Sequence, residues 1–78
     1  MSEPNPVATL NAQGMLCPMP VIKVQERIAD LRPGTVLEVL ATDPGALADV
    51  PAWCRVHGHE VIESVQDGRE IRIRIKVN

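Results

Sequence analysis

Cys17 stands in Gly14-Met15-Leu16-Cys17-Pro18-Met19-Pro20, directly ahead of a run with helical apolar spacing. Neither Pro18 nor Pro20 has a backbone N–H. The first turn of a helix, whose amides lack an intrahelical partner, is the place that tolerates both. The segment therefore predicts a helix opening at about Pro18 with Cys17 as its N-cap. A sulfur there faces the positive end of the helix dipole and is placed to accept from the amide of Met19. Such surroundings lower a thiol pKa below its ordinary ~8.5 and make the sulfur nucleophilic at neutral pH. A thiolate that attacks a persulfide becomes a persulfide in turn. Exchange of this kind depends on the attacking thiolate and the leaving thiol, and it needs no general base. A cysteine hydrolase needs a histidine to protonate its leaving amine. Nothing in the sequence places His57 or His59 beside Cys17.

Around the thiol, Gly14 gives the preceding loop the freedom to turn, and Pro18, Met19 and Pro20 stiffen and frame the site. Met15, Leu16 and Met19 are flexible apolar side chains, suited to docking several partners. The second cysteine, Cys54, shares a helical face with Leu47 and Val50 and reads as a core residue, with a redox or resolving role as the alternative. Cys54, His57 and His59 lack the paired spacings of a structural zinc site. No metal and no cofactor is expected. Arg72, Arg74 and Lys76 form a basic stripe that reads as the solvated face of an outer strand, with binding of an RNA backbone or of an acidic partner protein as the alternatives.

The chain has 78 residues, a formal net charge of −2 and a single aromatic residue, Trp53. That size allows one small domain, residues 7–78, behind a loose polar tail at 1–6. The acidic balance and the lack of stacking aromatics argue against strong direct nucleic-acid binding. Two cysteines are too few for a disulfide framework. No run approaches the ~20 residues of a membrane span, and the first residues do not resemble a secretory signal. A cytoplasmic protein is expected, a monomer acting through transient complexes.

A first strand is expected over Val7–Asn11. A helix follows from about Pro18 to Leu31, with Val21, Val24, Ile28 and Leu31 as its buried stripe. Thr35 to Ala41 is apolar on both faces except at Glu38 and reads as an interior strand. Asp43 is the expected N-cap of a second helix, with Pro44 at its first position. Asp49-Val50-Pro51 repeats that pattern, so Pro51 kinks or restarts the helix, which Gly58 ends. A strand over Glu60–Gln66, a turn at Asp67-Gly68 and the strictly alternating Ile71, Ile73, Ile75 and Val77 complete the chain. The order βαβαββ with right-handed crossovers predicts an α/β two-layer sandwich. Its four-stranded mixed sheet carries both helices on one face and leaves the other face wet.

The segment Leu10-Asn11-Ala12-Gln13-Gly14-Met15-Leu16-Cys17-Pro18-Met19-Pro20 resembles the signature of the TusA family of small sulfur carriers, also called SirA-like. The pattern there is a leucine–aspartate pair, a glycine three positions after the aspartate, then Cys-Pro-x-Pro. The likeness continues through Leu31-Arg32-Pro33-Gly34, Thr42-Asp43-Pro44, Asp49-Val50-Pro51 with Trp53-Cys54, and Gly58-His59-Glu60, over about residues 8 to 77. It implies the same sandwich and a single sulfur-carrying cysteine, which maps onto Cys17. It also implies a persulfide passed from a donor of desulfurase or rhodanese type to an acceptor protein. The pathways implied are tRNA thiolation, molybdenum-cofactor biosynthesis or sulfur-compound oxidation. Asn11 departs from the usual aspartate, and Leu16 stands where a basic or polar residue is frequent. Two rival readings are a non-catalytic regulatory interaction module and an RNA-binding domain.

Overall fold

The computed structural model describes residues 7–16 and 18–78. The expected tail at 1–6 and Cys17 itself lie outside the described residues. The elements are β1 (Val7–Ala12), α1 (Met19–Ile28), β2 (Val36–Ala41), α2 (Ala46–His57), β3 (Glu60–Asp67) and β4 (Glu70–Lys76). They form one four-stranded sheet in the order β1-β2-β4-β3. β1 and β2 are parallel; β4 is antiparallel to both its neighbours. The sandwich expected from the sequence is the fold observed.

The alternation of β4 explains how the layers meet. Ile71, Ile73 and Ile75 turn to one face and are buried with Leu37, Val39 and Ala41 of β2. On that face lie Val24 and Ile28 of α1 and Ala46, Val50 and Cys54 of α2. Val21, Leu31 and Leu47 pack against this core from its margin, so the expected helical stripes are the buried ones. At ~25 cal/mol per Å² of apolar area, these aliphatic layers supply most of the folding drive in a chain with one aromatic residue.

The structure corrects several expectations. The first helix ends at Ile28, and Asp30 and Leu31 instead donate backbone bonds three residues back, to Arg27 and Ile28. Such tightening satisfies carbonyls that a helix end leaves free. α2 runs unbroken through Pro51, so the proline neither restarts the helix nor gives Asp49 a second helix to cap. Tertiary burial of Ala46, Val50 and Cys54 outweighs the bond that a proline at position 51 withholds from Leu47. Asp43 does act at the head of α2, but one turn earlier than the helix proper. Its Oδ1 accepts from the Gly45 amide at 3.2 Å, and its carbonyl accepts from Ala46 at 2.9 Å. The last strand is interior, not outer. The hairpin from β3 folds β4 back between β2 and β3, which leaves β1 and β3 as the edges. β3 carries a bulge between Val61 and Glu63, a device that blunts an edge.

Candidate functional site

Parallel pairing brings two loops together. Ala12 at the end of β1 stands in register with Ala41 at the end of β2. The loops leaving these strands therefore start side by side, and they are hydrogen-bonded to each other. The Gly14 amide donates to the Thr42 hydroxyl oxygen at 2.8 Å. Before it, the Gln13 amide donates to Asn11 Oδ1 at 3.0 Å. Asn11 thus offers the acceptor that an aspartate would offer, without the charge. The Met15 amide closes a turn onto the Ala12 carbonyl at 3.2 Å. Gly14, third in that turn, has φ +80°, which is the type II arrangement and the reason glycine is needed there.

The turn after it brackets position 17. The Met19 amide donates to the Leu16 carbonyl at 2.8 Å, and the Ile22 amide to the Pro18 carbonyl at 3.2 Å. Two expectations change. Pro18, not Cys17, occupies the N-cap of α1, and the Met19 amide, expected to be free for sulfur, is already engaged. Pro20 has no N–H at all, so among Met19, Pro20 and Val21 two cannot serve an anion. The helix end is poorer in donors than its position implied. Its dipole still places partial positive charge beside the loop.

The predicted framing residues separate by environment. Pro20 is buried in the core, while Pro18 and Met19 face outward, Met19 with 39% of its surface exposed. Of the other predicted docking residues, Leu16 is 74% exposed and Met15 is half-buried. Ile22, one turn beyond Met19, is exposed to the same degree and joins this apolar surface. The sequence reading missed Ile22 and Thr42. Ile22 had a signal, since it lies off the buried 21-24-28-31 stripe. Thr42 had none beyond its place next to the Asp43 cap.

The remaining candidates are drawn elsewhere. Cys54 is fully buried, and burial pushes its thiol up from 9.0 to about 11. It is the inert core cysteine expected. His57 and His59 both stack on Trp53, with ring centroids 4.5 and 5.5 Å away. His59 Nδ1 accepts from the Asn78 amide at 3.1 Å. These imidazoles lie where α2 ends and β3 begins, while the loop leaving β1 starts at the opposite end of the sheet. The basic stripe is interleaved with acids. Arg72 Nε lies 3.5 Å from Glu38 Oε2. Arg74 stands in register with Glu38 and Glu63, and Lys76 with Glu60. A ladder so balanced does not present the net positive field that a nucleic-acid backbone needs.

The profile of the family described as Sulfurtransferase TusA matches residues 8–77. The chain belongs to the TusA family. Among TusA relatives, the sulfur carrier protein TusA of Pseudomonas aeruginosa (strain LESB58) is 42% identical over 60 residues, covering 77% of this chain and 76% of that protein. YrkF of Bacillus subtilis (strain 168) is 44% identical over 63 residues, covering 81% of this chain and 34% of YrkF. The chain thus spans about a third of YrkF's length. The crystal structure of the SirA-like protein from Desulfitobacterium hafniense superposes with a TM-score of 0.79 at 26% identity, over 92% of this chain and 97% of that one. The TusA sandwich and its βαβαββ order are therefore shared with a solved relative. Among the described residues, no helix is long and apolar enough to cross a membrane.

Proposed function

We propose that residues 7–78 act as one sulfur-carrier domain that holds sulfane sulfur as a persulfide on Cys17. The family match over residues 8–77, with Cys-Pro-x-Pro in register, carries this reading. The loop geometry on both sides of position 17 supports it. In the loading step the Cys17 thiolate attacks the outer sulfur of a donor persulfide. A new S–S bond forms, the donor's S–S bond breaks, and the donor thiol leaves as a thiolate. In delivery an acceptor thiolate attacks the outer sulfur now on Cys17, and Cys17 is released as the thiolate. No electrons are gained or lost overall, so neither a redox cofactor nor a metal enters the balance.

The donor is a protein of desulfurase or rhodanese type and the acceptor a second protein, both met transiently in the cytoplasm through Leu16, Met15 and Met19. The acceptor feeds tRNA thiolation, molybdenum-cofactor assembly or sulfur oxidation. Mass spectrometry after incubation with a persulfide donor tests the carrier role. Wild type is expected to gain one sulfur atom, about 32 Da, and Cys17→Ser to gain none. An adduct that persists in Cys17→Ser would overturn it.

A further inference from the structure

Thr42 belongs to a different loop from the thiol, 28 positions from Gly14, yet its hydroxyl oxygen accepts the Gly14 amide at 2.8 Å. Gly14 in turn sits at the left-handed position that closes the Ala12–Met15 turn. The next carbonyl that is pinned is Leu16, by Met19. The chain on the N-terminal side of position 17 is therefore fixed at three successive places: Gly14, Met15 and Leu16. Of these ties, the one from Thr42 crosses to a separate element. Thr42 is held in turn by its neighbours. Ala41 before it is fully buried in β2, and Asp43 after it caps the turn into α2.

We propose that Thr42 is a positioning residue for Cys17: its hydroxyl anchors the loop that presents the thiol, so that the sulfur meets its donor at a set place relative to the head of α1. This rests on the carrier reading of Cys17. A slack loop spends its time in conformations from which attack does not occur, and reactivity falls with the fraction that is competent. The side chain provides this with one acceptor lone pair. Valine, equal in shape, lacks it, and serine retains it.

The test measures alkylation and persulfide loading of Cys17 in Thr42→Val and Thr42→Ser, together with hydrogen exchange at the Gly14 amide and thermal unfolding. Thr42→Val is expected to slow both reactions roughly three- to tenfold, the range that loss of one ordinary hydrogen bond allows. It is also expected to move the pH midpoint of alkylation toward that of an ordinary thiol, ~8.5, and to speed Gly14 exchange. Thr42→Ser should restore rate, midpoint and protection. Unchanged rates and midpoint in Thr42→Val, or a serine variant as impaired as valine, would overturn the assignment. If Thr42→Val fails to fold, the serine variant and the wild-type protection of the Gly14 amide decide it: rapid exchange in wild type would refute the anchor. Failure of the carrier reading looks different. It appears as sulfur retained in Cys17→Ser, whatever the Thr42 variants do.

Discussion

Cys54 keeps its proton because it is buried among apolar side chains. Burial raises the Cys54 thiol to about 11, so at pH 8 an alkylating reagent is expected to label the chain once, at Cys17. Peptide mapping checks the site. The same shift has a consequence for stability. Well below pH 9.0 both the folded and unfolded thiols are neutral, and the contribution of Cys54 is whole. As pH rises from 9.0 toward 11 the unfolded chain ionises first, so stability falls across that window. Denaturant melts at stepped pH should show the fall in wild type and not in Cys54→Ala. Cys54→Ser brings a hydroxyl into this apolar site and is expected to cost about 1–3 kcal/mol. It should leave sulfur loading on Cys17 unchanged.

At the scale of elements, the β1–α1 loop depends on a glycine that nothing crowds. A Cβ at Gly14 would meet no atom within 4 Å. The cost of Gly14→Ala is therefore the strain of an L-residue at φ +80°, about 1–2 kcal/mol. If the carrier reading of Cys17 holds, the expected result is a modest drop in melting temperature with a larger loss of Cys17 reactivity, because the strain is relieved by opening the Ala12–Met15 turn that precedes it in the chain. Equal stability and reactivity in Gly14→Ala would show that the turn has no part in presentation. β4 carries the opposite kind of demand. Ile73 is fully buried between the two interior ladders. Ile73→Ala should lose about 2–5 kcal/mol, read from the urea midpoint.

At the scale of the molecule, two surfaces differ in kind. The open face of the sheet alternates Arg72, Arg74 and Lys76 with Glu38, Glu60 and Glu63, a balanced lattice that suits solvent. A single-stranded RNA is expected to show no saturable binding at micromolar protein and physiological salt. Steeply salt-dependent binding would reopen the nucleic-acid reading. Near the head of α1, Leu16, Met19 and Ile22 are exposed apolar side chains. Leu16→Asp should leave loading from a small-molecule persulfide intact and slow transfer to or from a protein partner at least several-fold, as loss of an interface anchor does. A regulatory module would behave otherwise. It would keep its biological activity in Cys17→Ser and lose it in Leu16→Asp.

The residue pattern alone was enough for the elements and their order, because helix and strand periods are local properties of the chain. Val21, Val24, Ile28 and Leu31, and the alternation from Ile71 to Val77, declare which side of each element is buried. A proline in the first turn of α1 was equally legible, since Cys-Pro-x-Pro is contiguous. Strand order was not. Whether β4 ends at an edge or between β2 and β3 depends on which ladder the hairpin joins, a contact between residues some 35 positions apart, such as Glu38 and Arg74. The same holds for Thr42. Its hydroxyl meets Gly14 because β1 and β2 run parallel in one register, and nothing in the local chain encodes that meeting. The fate of the Met19 amide is likewise set by the backbone path: a turn that closes on Leu16 takes the donor that a free helix end would offer to sulfur.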